Sequence, residues 1–349
     1  MHYPYEQLPD AGTTRDIVDG LRWIRMPLPF ALDHVNLWLI ADDDVDTDTD
    51  TSRTGWAAVD TGIALDGVKA HWQQLLTQHR LTRQIVTHCH PDHLGLAGWL
   101  EQQSGARLWM TQGEFAVAHL LRAGVDGYGY PAALAFFVRH GLDAERAATF
   151  ESRGNAFLRG VPTMPHTYTR LRDHDEIRIG NHTWRIIIGY GHAPEHAALY
   201  CESLRILISG DMLLPRITTN IHVSAATPDN DSLNEYLTSL ERFLPLPPDT
   251  LVLPSHGKPF RGLHERVEQL QQHHIRRCDA LCAACATVPK SAADLLPALF
   301  DRDISDPHQL QFAMGETIAH LNYLEHQQRI ERLDDGQILR YCTSRASRP

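Results

Sequence analysis

A histidine-rich loop between an apolar strand-like run and a helix constrains this chain more than any other stretch. The run Arg83–Val86 leads into Thr87–His93, where three imidazoles and one carboxylate fall within six residues. The following Leu94–Leu100 is mostly apolar and predicts a helix. Imidazole and carboxylate side chains at the end of a buried strand can converge on one point, and zinc, iron(II) and manganese accept both groups. The stretch therefore indicates a metal site.

Three later loops carry histidine or aspartate directly after apolar, strand-like runs. They are Gly191–His196, Ser209–Asp211 and Pro254–Gly257. A single His-x-His motif is a weak signal, because most scattered histidines are surface or core residues. Four such loops in a fixed order are a specific signal, which the geometry of a real site must then satisfy.

In this order, the four loops resemble those of the metallo-β-lactamase superfamily. The resemblance implies an α/β fold, the αββα sandwich, in which helices cover two packed mixed sheets. Position for position, it implies seven metal ligands with imidazole or carboxylate groups: His88, His90 and His192 for a first metal, Asp92, His93 and His256 for a second, and Asp211 bridging both.

A ligand set of this kind, with no cysteine in it, implies two divalent ions. Zn²⁺ is the first expectation, with iron or manganese as alternatives. Ions in such pairs lie about 3.5–4 Å apart, and the water or hydroxide between them can attack a carbonyl carbon or a phosphorus. The resemblance gives catalytic roles to Asp211 as the bridge and to Asp92, which can orient the hydroxide. Asp60 and His196 are expected to support the ligands through hydrogen bonds.

Candidates for substrate binding come from two stretches. Residues 112–160 form a helical insertion too long for a simple connection, and such insertions commonly form a lid or a substrate wall. Within it, Tyr128 and Tyr130 either line an apolar pocket or pack the insertion onto the core. Arg216 and His222 follow the bridging aspartate and are candidates for gripping an anionic group, although a structural arginine is equally common.

Two domains are predicted, a catalytic domain over residues 1–261 and a small C-terminal domain over residues 262–349. The second has helical patterns and then a hairpin that turns at Asp334–Gly336, similar to the winged-helix tail of the branch related to β-lactamase-like protein 2. It contains 10 Lys and Arg against 12 Asp and Glu. Nucleic-acid binding needs a basic face, so packing or homodimerisation is the expected role.

The cysteines of the C-terminal segment invite two interpretations. Cys278, Cys282 and Cys285 have a spacing known from iron–sulfur enzymes, but they also fall at i, i+4 and i+7 of a predicted helix. Free cysteine is a common small core residue. The spacing therefore favours one packed helix face over a cluster site.

Composition narrows the remaining possibilities. Hydrophobic content of 43% and charged content of 21% describe an ordinary globular protein, and the net charge of -11 disfavours nucleic-acid binding. A membrane span is not expected, because no run of about eighteen apolar residues occurs. Without a secretory signal at the N-terminus, a cytoplasmic location is the default expectation. The acidic Asp42–Thr54 stretch predicts a solvated, mobile loop.

The leading function is hydrolysis of a thioester or ester, of the acyl-thioester or lactone type, in a small-molecule substrate for which an anionic group is one option. The alternative is a metal-dependent nuclease or phosphodiesterase, which the winged-helix-like tail suggests. A catalytically silent binding module would normally show broken ligands, and none of the seven is broken here. β-Lactam hydrolysis is less expected, because an aspartate occupies the bridging position.

Overall fold

A computed structural model describes residues 1–46, 51–151, 154–300, 304 and 306–344. In this part of the chain two large sheets pack against each other, and a two-stranded sheet lies near the C-terminus.

The first sheet has seven strands whose order across the sheet is their order in the chain. Their bounds are β1 Thr14–Val18, β2 Leu21–Pro27, β3 His34–Asp46, β4 Thr51–Val59, β5 Leu81–Ile85, β6 Arg107–Thr111 and β7 Thr169–Leu171. Strands β1 to β4 pair antiparallel, whereas β4 to β7 pair parallel. The carboxyl ends of β4 and β5 therefore lie at the same edge of the sheet.

The second sheet has five strands in the order β12-β11-β10-β9-β8. Their bounds are β8 Glu176–Ile179, β9 His182–Gly189, β10 His196–Cys201, β11 Ile206–Gly210 and β12 Leu251–Pro254. Strand β10 runs antiparallel to β9 and β11, while β11 and β12 are parallel. Strands β9, β11 and β12 thus all end at one edge, and each is followed by one of the predicted ligand loops.

Eleven helices are described: α1 Asp66–Leu76, α2 Pro91–Leu94, α3 Ala97–Ser104, α4 Gln112–Ala123, α5 Tyr130–Arg139, α6 Ala144–Glu151, α7 Ala156–Gly160, α8 Ser232–Glu241, α9 Leu263–Ala284, α10 Ala292–Phe300 and α11 Pro307–His326. Helices α4 to α7 fill the predicted insertion at 112–160. None of the described helices combines the length and the apolar character needed to cross a membrane.

The core between the two sheets is aromatic and aliphatic. Trp23 and Trp38 of the first sheet stack with ring centroids 6.1 Å apart, and Trp184 and Ile208 of the second sheet belong to the same cluster. All four side chains are buried. Truncating a buried tryptophan to alanine costs about 3–5 kcal/mol. This packing fixes the two sheet edges that carry the ligand loops relative to each other.

Helices cover the outer faces of both sheets. Helix α1 buries Val68 and Trp72 in a cluster that contains side chains of β2 to β4. Tyr236 of α8 and Leu270 of α9 lie in another cluster with Ile187 of β9. The layers are therefore helix, sheet, sheet and helix, which confirms the predicted αββα sandwich.

The predicted mobile loop at Asp42–Thr54 is wrong over most of its length. Strand β3 continues to Asp46 and β4 begins at Thr51, while residues 47–50 lie outside the described residues. Asp42 is buried and accepts hydrogen bonds of 2.8 and 3.0 Å from the guanidinium of Arg83. The local acidic pattern gives no sign of a partner as distant in the sequence as Arg83. For that reason the pattern indicated a loop.

The C-terminal segment continues the main body of the molecule. After α9 to α11, β13 Ile330–Asp334 and β14 Leu339–Thr343 pair antiparallel across the predicted turn. Leu321 of α11 shares one core cluster with Phe137 of the insertion and Tyr236 of α8. The predicted segments at 1–261 and 262–349 thus have a common core, and the winged-helix interpretation stays a prediction.

The cysteine spacing belongs to a packed helix face. Cys278 and Cys285 are buried in that core cluster, Cys282 is half-buried, and all three are free thiols. Burial raises the pKa of Cys278 to about 12. Its thiol is therefore protonated at neutral pH and unreactive.

Candidate metal centre

Loops from both sheets meet at one end of the sandwich. They follow β5, β9, β11 and β12, whose ends the sheet topology brings to neighbouring edges. All seven predicted ligands fall in three groups whose ligand atoms lie within 4.8 Å of one another: His88 with His90 and His192, His88 with His93 and Asp211, and Asp92 with His93 and His256. The structure therefore brings together every residue that the sequence motifs predicted as a ligand.

The first group is a triangle of ring nitrogens. The Nε2 atom of His88 lies 2.9 Å from Nδ1 of His90 and 3.2 Å from Nε2 of His192. Nitrogens that share one tetrahedral zinc at 2.0–2.1 Å are roughly 3.3 Å apart. The observed separations are close to those of nitrogens around a single ion.

Asp211 lies between the first group and the second. Its Oδ2 atom is 3.5 Å from Nε2 of His192, while its Oδ1 atom is 3.3 Å from Nε2 of His256 and 3.6 Å from Nε2 of His93. The Oδ2 atom of Asp92 is 3.5 Å from both His93 and His256. One carboxylate thus faces both groups, as the bridging assignment requires.

Two buried polar atoms test whether these residues suit a cation. The His93 Nε2 and Asp211 Oδ1 atoms have no hydrogen-bond partner in the described part of the chain. An unsatisfied buried polar atom costs about 1–3 kcal/mol. A cation next to both would remove that cost, so the residues fit a divalent ion.

The carboxylates give the second group a negative potential. Burial alone would lower the pKa of His93, but Asp92, Asp60 and Asp211 raise it well above its usual range. Asp211 likewise outweighs burial and raises the pKa of His256. The potential that holds protons on these imidazoles also favours a metal cation, whose binding displaces such protons.

The first group has the opposite electrostatic character. Burial lowers the pKa of His90 to about 3 and lowers the pKa values of His88 and His192 as well. These rings are therefore neutral at neutral pH. Neutral imidazole is the form that binds metals.

Asp60 connects the first ligand loop to β4 in a strained conformation. Its φ of 63° lies in the left-handed region, which is unfavourable for residues other than glycine. Its Oδ1 atom accepts hydrogen bonds from the Thr87 backbone N–H at 2.8 Å and the Thr87 hydroxyl at 3.0 Å, and its Oδ2 atom lies 2.8 Å from His93 Nδ1. Asp60 therefore lies behind His93, where the sequence placed it.

Backbone carbonyls orient two further histidines. The Nδ1–H of His192 donates to the carbonyl of Asn220 at 2.6 Å, and that of His256 donates to the carbonyl of His34 at 2.8 Å. Each bond fixes the ring and leaves Nε2 directed at the centre.

His196 lies behind the bridging aspartate. The backbone N–H of Asp211 donates to His196 Nε2 at 3.1 Å, and the ring is fully buried. A Cβ at Gly210 would come within 2.3 Å of that nitrogen, and Gly210 has a φ of 54°. Glycine is therefore needed there, and His196 contacts the Asp211 backbone from inside the protein.

Asn36 is a supporting residue to which the sequence analysis gave no role. Its Nδ2 atom donates to the carbonyls of Pro254 and Gly257, both at 2.8 Å, and its Oδ1 atom accepts from Trp23 Nε1 at 2.9 Å. These bonds hold the loop that carries His256. The available signal was a polar residue within an otherwise apolar strand.

Glu114 is a second residue that the sequence analysis missed. It is fully buried at the start of α4, where its carboxylate accepts from the backbone N–H groups of Cys89 at 2.8 Å and Glu195 at 2.7 Å. Burial raises its pKa to about 7. Glu114 joins two ligand loops, but in the sequence it is an ordinary acidic residue in a first helical turn.

Helix α11 reaches the centre from the C-terminal segment. The Asn220 side chain donates to Glu316 Oε2 at 3.1 Å and to the Phe312 carbonyl at 3.3 Å. The carbonyl of the same Asn220 orients His192. Burial raises the pKa of Glu316 to about 7. The C-terminal segment is therefore connected to a candidate ligand, which the predicted domain division did not anticipate.

The predicted substrate residues divide into two sets. Tyr128, Tyr130 and His222 line a cavity of about 140 Å³ between the insertion and the segment that follows the bridging aspartate. Arg216 does not line it. Its side chain is exposed, with the guanidinium carbon 5.7 Å from the ring centroid of Tyr3.

The electrostatics of His222 do not favour the predicted binding of an anionic substrate group. Burial lowers its pKa to about 4, and nearby His192 adds to that shift. The ring is therefore neutral at neutral pH and can offer a hydrogen bond but no positive charge. It lies against α11, since a Cβ at Gly315 would come within 2.1 Å of its Nδ1 atom.

The fold and the ligand groups together define the class of metallohydrolases built on an αββα sandwich. A family model described as the metallo-beta-lactamase superfamily matches residues 35–256, and one described as the metallo-beta-lactamase-like C-terminal domain matches residues 278–344. The chain belongs to the metallo-β-lactamase superfamily.

Relatives cover nearly the whole chain. A probable metallo-hydrolase of Bacillus subtilis, YqjP, is 22% identical over 95% of this chain and 99% of its own length. The crystal structure of a β-lactamase domain protein from Burkholderia ambifaria is 44% identical, with a TM-score of 0.89 and 98% of each chain covered. A metallo-β-lactamase family protein from Thermus thermophilus is 29% identical, with a TM-score of 0.79 over 94% of this chain and 100% of its own.

Proposed function

We propose that this protein is a binuclear metal-dependent hydrolase that cleaves a thioester or ester. The observation that carries the proposal is the position of Asp211, whose two oxygens face the two ligand groups. His88, His90 and His192 would hold one ion and Asp92, His93 and His256 the other. An all-nitrogen and oxygen donor set suits Zn²⁺ first, then iron or manganese.

When bound, the ions would supply a nucleophile from water at neutral pH and polarise the substrate carbonyl. In the reaction the acyl–sulfur or acyl–oxygen bond breaks, the oxygen of water joins the acyl carbon, and the thiol or alcohol leaves with a proton. The protein itself would fix the geometry. Asp60, Asn220 and His34 orient ligand rings, so little reorganisation would be needed during catalysis.

Asp92 has the more open position of the two aspartates. Its side chain is 21% exposed, against 10% for Asp211. His93 and His256 outweigh the effect of burial and lower the pKa of Asp92. An ionised carboxylate on the open side can accept a hydrogen bond from an attacking water. We therefore assign to Asp92 the orientation of the nucleophile and to Asp211 the bridge.

The neighbouring cavity supports an acyl substrate over a phosphodiester. None of the described residues that line it is an arginine, lysine, aspartate or glutamate. Phosphate groups are normally recognised by arginine, lysine or helix N-termini. The net charge of -11 points in the same direction.

Turnover assays with and without a metal chelator test the proposal. Zinc-loaded protein should cleave S-acyl-N-acetylcysteamine thioesters or aryl esters, lose activity in a chelator and regain it when Zn²⁺ is restored. Bis(p-nitrophenyl) phosphate should be a much poorer substrate. Cleavage of the phosphodiester alone, or thioester cleavage unchanged by complete metal removal, would contradict the proposal.

The remaining expectations concern setting and assembly. The substrate would be a small molecule, and the free state of all six cysteines agrees with a reducing, cytoplasmic setting. Homodimerisation is a separate expectation, and sedimentation equilibrium would test it.

A further inference from the structure

An apolar cavity is bounded by segments that contact two loops of the candidate metal centre. Its volume is about 140 Å³, and it lies between the insertion on one side and the segment at 222–225 on the other. Its lining includes six phenylalanine and tyrosine side chains: Tyr128, Tyr130, Phe136, Phe137, Phe150 and Phe157.

The aromatic wall is internally packed. Tyr130 stacks on Phe150 with ring centroids 5.1 Å apart, and Phe137 meets Phe150 edge-on at 5.5 Å. Phe137 and Phe150 are each 2% exposed. Aromatic rings held by one another in this way form a wall with a defined shape.

Both sides of the cavity are attached to elements of the metal centre. The backbone N–H of His222 donates to the carbonyl of Gly191, the neighbour of His192, at 3.2 Å. Opposite, Phe157 belongs to α7, which packs closely on α2. A Cβ at Gly160 of α7 would come within 2.6 Å of the Pro91 side chain. The two walls of the cavity are therefore attached to the loops that carry His192 and Asp92.

We propose that this cavity binds the apolar acyl group of the substrate, a phenyl ring or an unbranched chain of about six carbons. A cavity of about 150 Å³ lined by apolar side chains accommodates benzene, which sets the size. The described lining residues include no Arg, Lys, Asp or Glu, and six of them are phenylalanine or tyrosine, which sets the chemistry. The inference rests on the proposed hydrolase function and specifies its substrate class.

Size also identifies which part of the substrate enters. Biological thiol carriers such as glutathione or pantetheine are polar, and they are much larger than a benzene-sized cavity. The acyl group is the part that is apolar and small enough. The leaving thiol would therefore extend away from the cavity.

A series of acyl chains on one thiol tests this inference. S-Acyl-N-acetylcysteamine substrates from acetyl to decanoyl, and a phenylacetyl member, are assayed with zinc-loaded protein. Burial of one methylene gives about fourfold in kcat/KM, so the value should rise about fourfold per carbon up to hexanoyl. It should stop rising or fall at decanoyl, because the cavity is then full.

A pair of substitutions on one helix localises the effect. Ala133 of α5 lines the cavity, whereas Ala135 on the same helix is exposed and does not. Ala133→Phe should reduce the hexanoyl-to-acetyl ratio of kcat/KM by about tenfold. Ala135→Phe should leave that ratio unchanged. Phe136→Ala, which enlarges the cavity, should move the optimum towards longer chains and provides a second test should Ala133→Phe not fold.

The outcomes separate this inference from the function on which it depends. Metal-dependent cleavage that is indifferent to acyl length, or that depends on the length of the leaving thiol instead, would overturn the inference and leave the hydrolase proposal intact. An equal loss of selectivity in Ala133→Phe and Ala135→Phe would also overturn it. Absence of cleavage across all esters and thioesters would defeat both.

Discussion

Different interactions hold the ligand loops of the candidate metal centre, here called the metal side, and the aromatic lining of the cavity, here called the cavity side. On the metal side His93, His192 and His256 are each held by a hydrogen bond through Nδ1, to a carboxylate or a backbone carbonyl. On the cavity side, rings such as Tyr130 and Phe150 are positioned by packing on one another.

If the proposals hold, this difference separates residues needed for chemistry from residues that set substrate selectivity. A buried hydrogen-bonded network tolerates little change, because removing one partner leaves the other unsatisfied. Apolar packing tolerates volume-conserving substitutions at a cost below about 1.5 kcal/mol. We therefore expect substitutions on the metal side to abolish turnover and those on the cavity side to change which substrate is preferred.

The largest effect is expected for Asp211→Asn. The change keeps the shape of the side chain but removes the negative charge that faces both ligand groups. Metal ions contribute several kcal/mol of transition-state stabilisation, so kcat/KM should fall on the order of a thousandfold. Circular dichroism should show a folded protein. Asp249→Asn, at an exposed ion pair with Arg205, is the control, and comparable activity in the two variants would contradict the assignment.

Asp60→Asn tests the outer hydrogen bonds. Its carboxylate lies 2.8 Å from His93 Nδ1, and loss of such a partner typically costs about 10- to 100-fold in metal affinity. Competition with a fluorescent zinc chelator measures that affinity. Asp66→Asn, which removes an exposed carboxylate near Lys69, should leave it unchanged. Unchanged affinity in Asp60→Asn would show that the metal side does not depend on these bonds.

Glu316→Gln tests the link to α11 through its pH dependence. Burial raises the pKa of Glu316 from 4.5 to about 7, so its contribution to the stability of the metal-free protein is lost as pH rises through that interval. Gln mimics the protonated acid and can still accept from Asn220. The variant should match wild type near pH 4.5 and be more stable at pH 8, by at most about 3 kcal/mol.

Urea denaturation of protein freed of metal by a chelator, at pH 4.5 and pH 8, measures this difference in the free energy of unfolding. Glu268→Gln, an exposed change on α9, is the control and should have little effect at either pH. A Glu316→Gln variant that is equally destabilised at both pH values would show that its carboxylate is needed in the charged form.

The smallest effect is expected for Arg216→Ala. Its guanidinium is near Tyr3 and its side chain is exposed, outside the cavity lining. Loss of such a contact changes free energies by less than about 0.5 kcal/mol, so kcat/KM should change by about twofold or less. A large rise in KM would contradict this expectation and indicate that Arg216 binds the substrate.

The metal side could be predicted from the sequence because its motifs are local. His88, His90, Asp92 and His93 lie on one loop, and each later ligand follows its own apolar strand. The layered fold was predicted through the resemblance of these motifs to the metallo-β-lactamase superfamily. The residues that hold the ligand loops were harder to predict from the sequence. The role of Glu114, for example, depends on the backbone N–H groups of Cys89 and Glu195, which only the fold brings near it.

The cavity and the C-terminal contact could not be predicted to the same extent. Tyr128, Tyr130 and His222 were candidates, but no pattern relates residues of the insertion to the segment at 222–225. The division at residue 261 followed a change in sequence character, whereas Asn220 and Glu316 connect the two segments through one hydrogen bond. Such contacts depend on tertiary packing and leave no periodic signal.

Metal content measured together with its dependence on Asp211 tests the central claim most directly. Purified protein, stripped and then reloaded with Zn²⁺, is analysed by mass spectrometry for bound metal per chain. We expect about two equivalents in the wild type and a clear loss in Asp211→Asn. A wild-type protein that binds no metal, or an Asp211→Asn variant that keeps both equivalents and full turnover, would contradict it.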